Sequence, residues 1–328
     1  MTQVYRAALC RTLGPPSVLR IEPLPRAPLA EGYVRVRVRA AGVNFPDLLM
    51  VSGRYQFKPD LPFAPGMEAA GEIIELGANV SGMSVGDRVV TRHRCGGFAE
   101  EVALPARDCL PLPRGFSFIE GACFTAAHMT AWHALTTRAG LRAGETLVVF
   151  GAAGGVGLAA VEVGKHLGAR VLAVASSEEK RAAARAKGAD AALAADGADL
   201  AADIRVLTQG RGADVVFDPV GWRAEEATRM LAFGGRILIV GFAAQIPTYA
   251  ANRVLLKGAS LIGVRAGEFG RARPDVRRQE MRDLLVLADA GALRPFISRT
   301  FELDQAADAL QWLADRRAIG RVALTMGA

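Results

Sequence analysis

The chain has 328 residues, of which 51% are hydrophobic and 22% charged, so it suits about two domains with their own cores and is neither collagen-like nor disordered. Its four cysteines (Cys10, Cys95, Cys109, Cys123) are far apart, Arg6 and Arg11 interrupt the first residues, and glycines break the longest apolar run; disulfide scaffold, secretory signal and membrane span are therefore not expected, and a cytoplasmic location is. The net charge of +7 comes from 40 basic residues of which only five are lysine, scattered without an aromatic-rich basic face, so nucleic acid is not an expected partner.

The first third reads as β-structure. Val34, Val36 and Val38 alternate with Arg35, Arg37 and Arg39, a period of two with one face toward solvent. Further strands are expected at Val4 to Cys10, Glu68 to Glu75, Arg88 to Thr91 and Phe98 to Leu104, separated by proline and glycine. Near Ile119 the pattern turns helical through Ala131 and Leu135. His128 and His133 lie five apart on that helix and should diverge.

The apolar run Leu147 to Phe150 suits a strand buried on both faces. It leads into Ala152 to Gly157, which fits the dinucleotide fingerprint G-x-G-x-x-G with alanine at the first glycine. Gly154 lets backbone approach a pyrophosphate, Gly157 lets helix and strand pack closely, and the start of the following helix offers N–H groups to phosphate. After that helix comes a second strand, Arg170 to Ser176. Enzymes that use NAD usually place a carboxylate about 20 residues past the fingerprint to hold the ribose 2′-hydroxyl. Here the position falls on Ser176 and Ser177, followed by Lys180 and Arg181, which favours the 2′-phosphate of NADPH. Glu178 and Glu179 leave an alternative, in which they complement the helix start and the two cations are solvated.

Alternation continues with strands at Asp214 to Val220, Arg236 to Phe242 and Ser260 to Val264 and a helix at Ala224 to Leu231. Beyond them, Met281 to Ala290 and Leu303 to Asp315 read as helices and Arg321 to Thr325 as a strand that returns to the first domain. The fold class is thus α/β: a doubly wound parallel-sheet (Rossmann) domain at 121–264, with 1–120 and 265–328 forming a barrel-like β domain.

With these blocks in place the chain resembles the zinc-free quinone oxidoreductase (zeta-crystallin-like) branch of the medium-chain dehydrogenase/reductase superfamily. The resemblance rests on AGVNFPD (Ala41 to Asp47), GMEAAG (Gly66 to Gly71), GDRVV (Gly86 to Val90), GAAGGVG (Gly151 to Gly157) and AIGRVALT (Ala318 to Thr325). It implies that the β domain is GroES-like and catalytic, that the protein forms a homodimer, and that it transfers hydride from NADPH to a quinone. Zinc-using relatives carry cysteine where this chain has Asn44 and histidine where it has Met67, so no metal is expected. A quinone is already electrophilic, and its reduction needs chiefly proximity and orientation.

The resemblance also places residues. Asn44 belongs beside the nicotinamide ribose, Thr130 at the nicotinamide end, Gly154, Gly155 and Val156 on the pyrophosphate, Ser176 and Lys180 on the 2′-phosphate, Val240, Gly241 and Phe242 around the nicotinamide, and Arg321 near the cofactor. In related enoyl thioester reductases a tyrosine at the position of Tyr55 donates a proton, so Tyr55 is either a proton donor or a wall of the quinone cleft. Asp47 and His128 face the site or serve as a helix cap and a paired helix residue. Two alternatives stand beside the quinone reading: a reductase of the C=C bond of α,β-unsaturated carbonyls or enoyl thioesters, and an NADPH-binding structural or RNA-interacting protein with little catalysis.

Overall fold

The computed structural model describes residues 3–327 and divides into two units, Met1–Ala126 with Arg294–Ala328, and Ala127–Leu293. The first unit opens with β1 (Val4–Leu9), β2 (Arg20–Pro25), β3 (Tyr33–Val43), α1 (Phe45–Val51), β4 (Glu68–Leu76), β5 (Arg88–Arg92), β6 (Glu101–Pro105) and β7 (Cys109–Pro111). The helix α2 (Phe118–His133) carries the chain past Ala126. In the second unit follow β8 (Thr146–Phe150), α3 (Gly155–His166), β9 (Arg170–Ala175), α4 (Glu178–Ala186), β10 (Ala191–Ala194), α5 (Leu200–Leu207), β11 (Ala213–Asp218), α6 (Ala224–Met230), β12 (Leu231–Ile239), α7 (Ala251–Lys257), β13 (Ser260–Gly263), α8 (Ala266–Ala272) and α9 (Pro274–Asp289). The chain then returns through β14 (Ile297–Glu302), α10 (Ala306–Ala314) and β15 (Arg321–Thr325). Among the described residues no helix is long and apolar enough to cross a membrane.

Valines at every second position seat β3 in the middle of the first unit. Val34, Val36 and Val38 are buried there, and β3 pairs antiparallel with β4, β6 and β15 in a seven-stranded sheet. The alternating arginines do not all face solvent. Arg35 is only 4% exposed, because its guanidinium donates to Glu75 Oε2 at 2.7 Å and to the carbonyl of Ala27 at 2.6 Å; the segment between β2 and β3 covers that face. Phe98, expected to open a strand, lies ahead of β6 in a loop, where its N–H reaches the carbonyl of Pro65.

The second unit is a six-stranded parallel sheet in the order β10-β9-β8-β11-β12-β13. Its central strand β8 is apolar because helices cover both faces; Leu147, Val148, Val149 and Phe150 are all at most 1% exposed. Burying each of these larger side chains contributes about 1.5–3 kcal/mol. Strand order reverses between β8 and β11, and ligands of such sheets bind outside the strands' carboxyl ends at that reversal. Boundaries differ from expectation at several elements, and two of the differences bear on the site and on the division into units. β12 ends at Ile239, leaving Val240, Gly241 and Phe242 in the loop beyond it. The return to the first unit comes at Arg294 rather than near residue 265, because α9 belongs to the second unit: its buried Glu280 accepts from His133 Nδ1 at 2.8 Å and from the hydroxyl of Thr137.

Candidate functional site

The glycine turn after β8 is built around Gly151, not around the alanine in the first fingerprint position. Gly151 has φ +57°, a conformation that Ala152 thereby avoids, and its carbonyl accepts the N–H of Gly154 at 2.9 Å. Gly154 is the N-cap of α3. Gly155, Val156 and Gly157 form the first helical turn, whose N–H groups have no carbonyl four residues back within the helix. A Cβ at Gly154 would meet nothing closer than the Gly151 carbonyl at 3.4 Å, whereas one at Gly157 would lie 2.2 Å from that same oxygen. Gly157 is therefore required by packing. At Gly154 the protein itself has room for a methyl group, so glycine is needed there only if something else comes close. This exposed cap, one turn beyond the reversal in strand order, fits a dinucleotide phosphate.

At the end of β9 some of the polar groups expected there are engaged within the protein. Ser177 caps α4, its hydroxyl accepting the Lys180 N–H at 3.3 Å, and Arg181 turns back to Glu178 Oε2 at 2.9 Å. Glu178 also pairs with Arg185. Ser176 is exposed and Lys180 half-buried at the start of α4. Val240 and Gly241 donate to the carbonyl of Asp218 at 2.9 and 3.4 Å, holding their loop at the carboxyl end of β11, with Phe242 44% exposed. Thr130 sits half-buried on α2, between two histidines that diverge as expected: His128 pairs with Glu162 at 2.9 Å and His133 with Glu280.

In the first unit a buried polar network surrounds Asn44. Asn44 Nδ2 donates to the Gly42 carbonyl and to Glu68 Oε1, both at 3.2 Å, and Asn44 Oδ1 accepts from Arg321 Nη1 at 2.9 Å. Arg321 also donates to Glu68 Oε1 and, through Nε, to the Cys123 carbonyl at 3.1 Å. Glu68 Oε2 accepts from the Thr125 hydroxyl at 2.8 Å and the Ala126 N–H at 2.7 Å. Both amide protons of Asn44 are thus committed, and what it retains is an acceptor lone pair on Oδ1. Such a group suits a hydroxyl donor such as a ribose; it cannot stabilise an oxyanion. Arg321 acts here by orienting Asn44. No local pattern shows that Glu68 and Thr125, 57 positions apart, share this network. Gly42 was equally silent: a Cβ there would lie 2.2 Å from the Ala122 carbonyl and 2.8 Å from Glu68 Oε1.

Asp47 is fully buried, and its two oxygens accept the N–H groups of Asn44 (2.8 Å) and Gly66 (3.0 Å), so it fixes the start of α1. Burial pushes its carboxyl up to about 7 against the pull of those two hydrogen bonds. A carboxyl whose folded pKa is raised holds its proton in the folded state after the unfolded chain has lost it, so it disfavours folding increasingly as pH rises from about 4 to about 7. Across pH 5 to 7 this amounts to about 2 kcal/mol. Asp47→Asn is expected to remove that slope: urea midpoints at pH 5 and 7 should differ less in the variant than in the parent, and an equal difference would contradict the assignment.

Tyr55 is half-buried and packs with Phe57, Met67 and Cys95 against the core that includes Phe98. The residues present do not fit a metal centre. Asn44 and Met67 replace strong ligands, both oxygens of Glu68 are engaged, and no group of three histidine, cysteine or carboxylate side chains gathers among the described residues.

Two family models match the chain, an alcohol dehydrogenase GroES-like domain over residues 30–114 and a zinc-binding dehydrogenase over residues 155–286. A quinone oxidoreductase-like protein 2 from Bos taurus is 37% identical over 98% of this chain and 93% of that protein. Among solved structures, a quinone oxidoreductase of Pseudomonas syringae pv. Tomato DC3000 superposes with a TM-score of 0.90 at 28% identity, covering 98% of this chain and 99% of the other. The mycobacterial protein Rv1454c, solved in complex with NADPH, superposes with a TM-score of 0.89 at 28% identity over 98% and 99% of the two chains.

Proposed function

Because the chain belongs to the medium-chain dehydrogenase/reductase superfamily, we propose that this oxidoreductase uses NADPH to reduce a quinone, without a metal. The observation that carries the cofactor half is the contrast between Gly154, where a methyl group would make only an ordinary contact with the Gly151 carbonyl, and Gly157, where it would strike backbone. When bound, NADPH supplies a hydride. Gly154, Gly155 and Val156 hold its pyrophosphate, Ser176 and Lys180 its 2′-phosphate, and Val240, Gly241, Phe242 and Thr130 enclose the nicotinamide. Asn44, locked by Arg321 and Glu68, accepts a hydrogen bond from the nicotinamide ribose. The absence of a carboxylate at the end of β9 supports NADPH over NADH, since a carboxylate there would repel the 2′-phosphate.

The half-buried place of Tyr55 against the same core as Met67 and Cys95 favours a second reading, in which the same site reduces the C=C bond of an α,β-unsaturated carbonyl and Tyr55 supplies the proton. One assay separates the two. NADPH consumption, followed by absorbance against quinones and enals, is expected to be fastest with quinones and about equal in Tyr55→Phe. A loss on the order of 100-fold with enals alone would favour the second reading, and no consumption with any acceptor would overturn both.

The protein is also proposed to be a homodimer. Among the described residues β13 pairs only with β12, and Leu261 on that edge, with Leu255 and Leu256 on α7 and Phe233 on β12, is 38–85% exposed. Light scattering should give twice the 34.6 kDa chain mass, and Leu261→Arg should give the chain mass itself. A parent protein at 34.6 kDa would end this proposal.

A further inference from the structure

Both amide protons of Asn44 are committed, and in the loop after β5, which is tied to Gly66, one side chain has a donor without a partner. Among the described residues, His93 is the only side chain with two buried polar atoms that lack a partner, its Nδ1 and Nε2. His133, Asp218 and Glu226 each have one such atom but pair through the other, while Tyr249 and Trp312 each have a single one, the Trp312 ring also lying against Arg299 and Arg317. The position of His93 is built. It follows β5 directly, its N–H donates to the Met67 carbonyl at 3.0 Å, and the loop it opens is tied back by Gly96 to Ala64 (2.8 Å), Gly97 to Gly66 (3.0 Å) and Phe98 to Pro65 (2.9 Å). The Gly66 N–H in turn donates to Asp47, which holds Asn44. A Cβ on Gly97 would lie 2.8 Å from His93 Nε2, so the ring packs closely against this glycine.

Burial pushes the imidazole down to about 4, so it is neutral at working pH, with one N–H donor and one acceptor. Buried polar groups without partners are rare and destabilising, and an aliphatic side chain would pack in the same space at less cost.

We propose that His93 binds the substrate, its ring N–H donating a hydrogen bond to the carbonyl oxygen of the electron acceptor. The inference rests on the reductase reading above. When NADPH and a proton from water convert a quinone to hydroquinone and NADP⁺, the two electrons delivered with the hydride place negative charge on that oxygen. The His93 N–H bond strengthens as the charge develops, and His93 keeps its proton throughout.

The test compares His93→Leu and His93→Gln with the parent, using NADPH with 1,4-naphthoquinone and with 2-cyclohexenone. His93→Leu is expected to lose about 30-fold or more in kcat/KM for the acceptor. Its KM for NADPH should stay within about twofold, its thermal midpoint should equal or exceed the parent's, and His93→Gln should recover most of the rate. A lowered midpoint in His93→Leu would mean the ring has a structural partner, and an unchanged kcat/KM would mean it does not meet the acceptor; either overturns the proposal. If the parent reduces neither acceptor, the reductase reading fails, and His93 is judged separately. Ring ¹⁵N resonances, assigned by their loss in His93→Leu, are followed as 1,4-naphthohydroquinone is added to the NADP⁺-loaded protein. A shift upholds His93 as a ligand-binding residue, and no shift removes it.

Discussion

Gly154→Ala is expected to abolish most NADPH binding while leaving the protein as stable as its parent, and Gly157→Ala is expected to damage both. At Gly154 the backbone (φ −74°, ψ 169°) suits alanine, and the new methyl group would touch only the Gly151 carbonyl at 3.4 Å, an ordinary contact. The thermal midpoint without cofactor should therefore hold. The methyl group would, however, stand over the first turn of α3, where the pyrophosphate has to approach the backbone, so the Kd for NADPH should rise at least about tenfold, or about 1.4 kcal/mol. At Gly157 the same methyl group would lie 2.2 Å from the Gly151 carbonyl and 2.9 Å from Ala152 Cα. Backbone cannot step aside as a flexible side chain can, so α3 must shift, at a cost of about 1–3 kcal/mol or more. That corresponds to several degrees in the midpoint. Calorimetric titration and thermal unfolding of both variants decide the matter. Parent-like NADPH binding by Gly154→Ala would show that no pyrophosphate comes to this turn.

Arg321→Met is expected to be the most destabilising single change in the first unit. Glu68 is 1% exposed and Arg321 6%, so removing the guanidinium leaves a buried carboxylate without its cation, a loss of about 3–5 kcal/mol. Glu68→Gln should also be costly. Each Glu68 oxygen accepts from two donors, and an amide nitrogen in either place would face donors. Replacing both residues, Glu68→Leu with Arg321→Met, should cost less than the sum of the two single changes, because no charge is then stranded. Urea midpoints of the four proteins test this. Additive losses would mean that the pair does not act as one unit. Asn44 depends on the same pair for its orientation, so the KM for NADPH should rise in Arg321→Met.

Much of the second unit was legible because its signals are local. Apolar Leu147 to Phe150, the glycines that follow and the serines after β9 sit within one stretch of chain, and parallel strands buried on both faces must be apolar along their length. Strand β15 was equally plain, and its approximate boundaries held. The end of β12 was not, because Val240 to Phe242 continue the apolar run although the pairing with β11 stops at Ile239, where the N–H groups of Val240 and Gly241 both turn to the Asp218 carbonyl. Arg35 misled for a related reason: alternation says which way a side chain points, and only the tertiary structure says whether another segment lies over it.

The sequence by itself determined the order of α and β elements, the dinucleotide turn and the family, since these follow from periodicity, glycine placement and motifs a few residues long. Only the tertiary structure decided what the candidate site residues do for one another. It committed both amide protons of Asn44, turned Arg181 toward Glu178, drew α9 onto the second unit through Glu280 and left the ring of His93 unpaired. Hydrogen bonds and ion pairs between residues far apart in the chain depend on side-chain direction and burial, which no local pattern encodes.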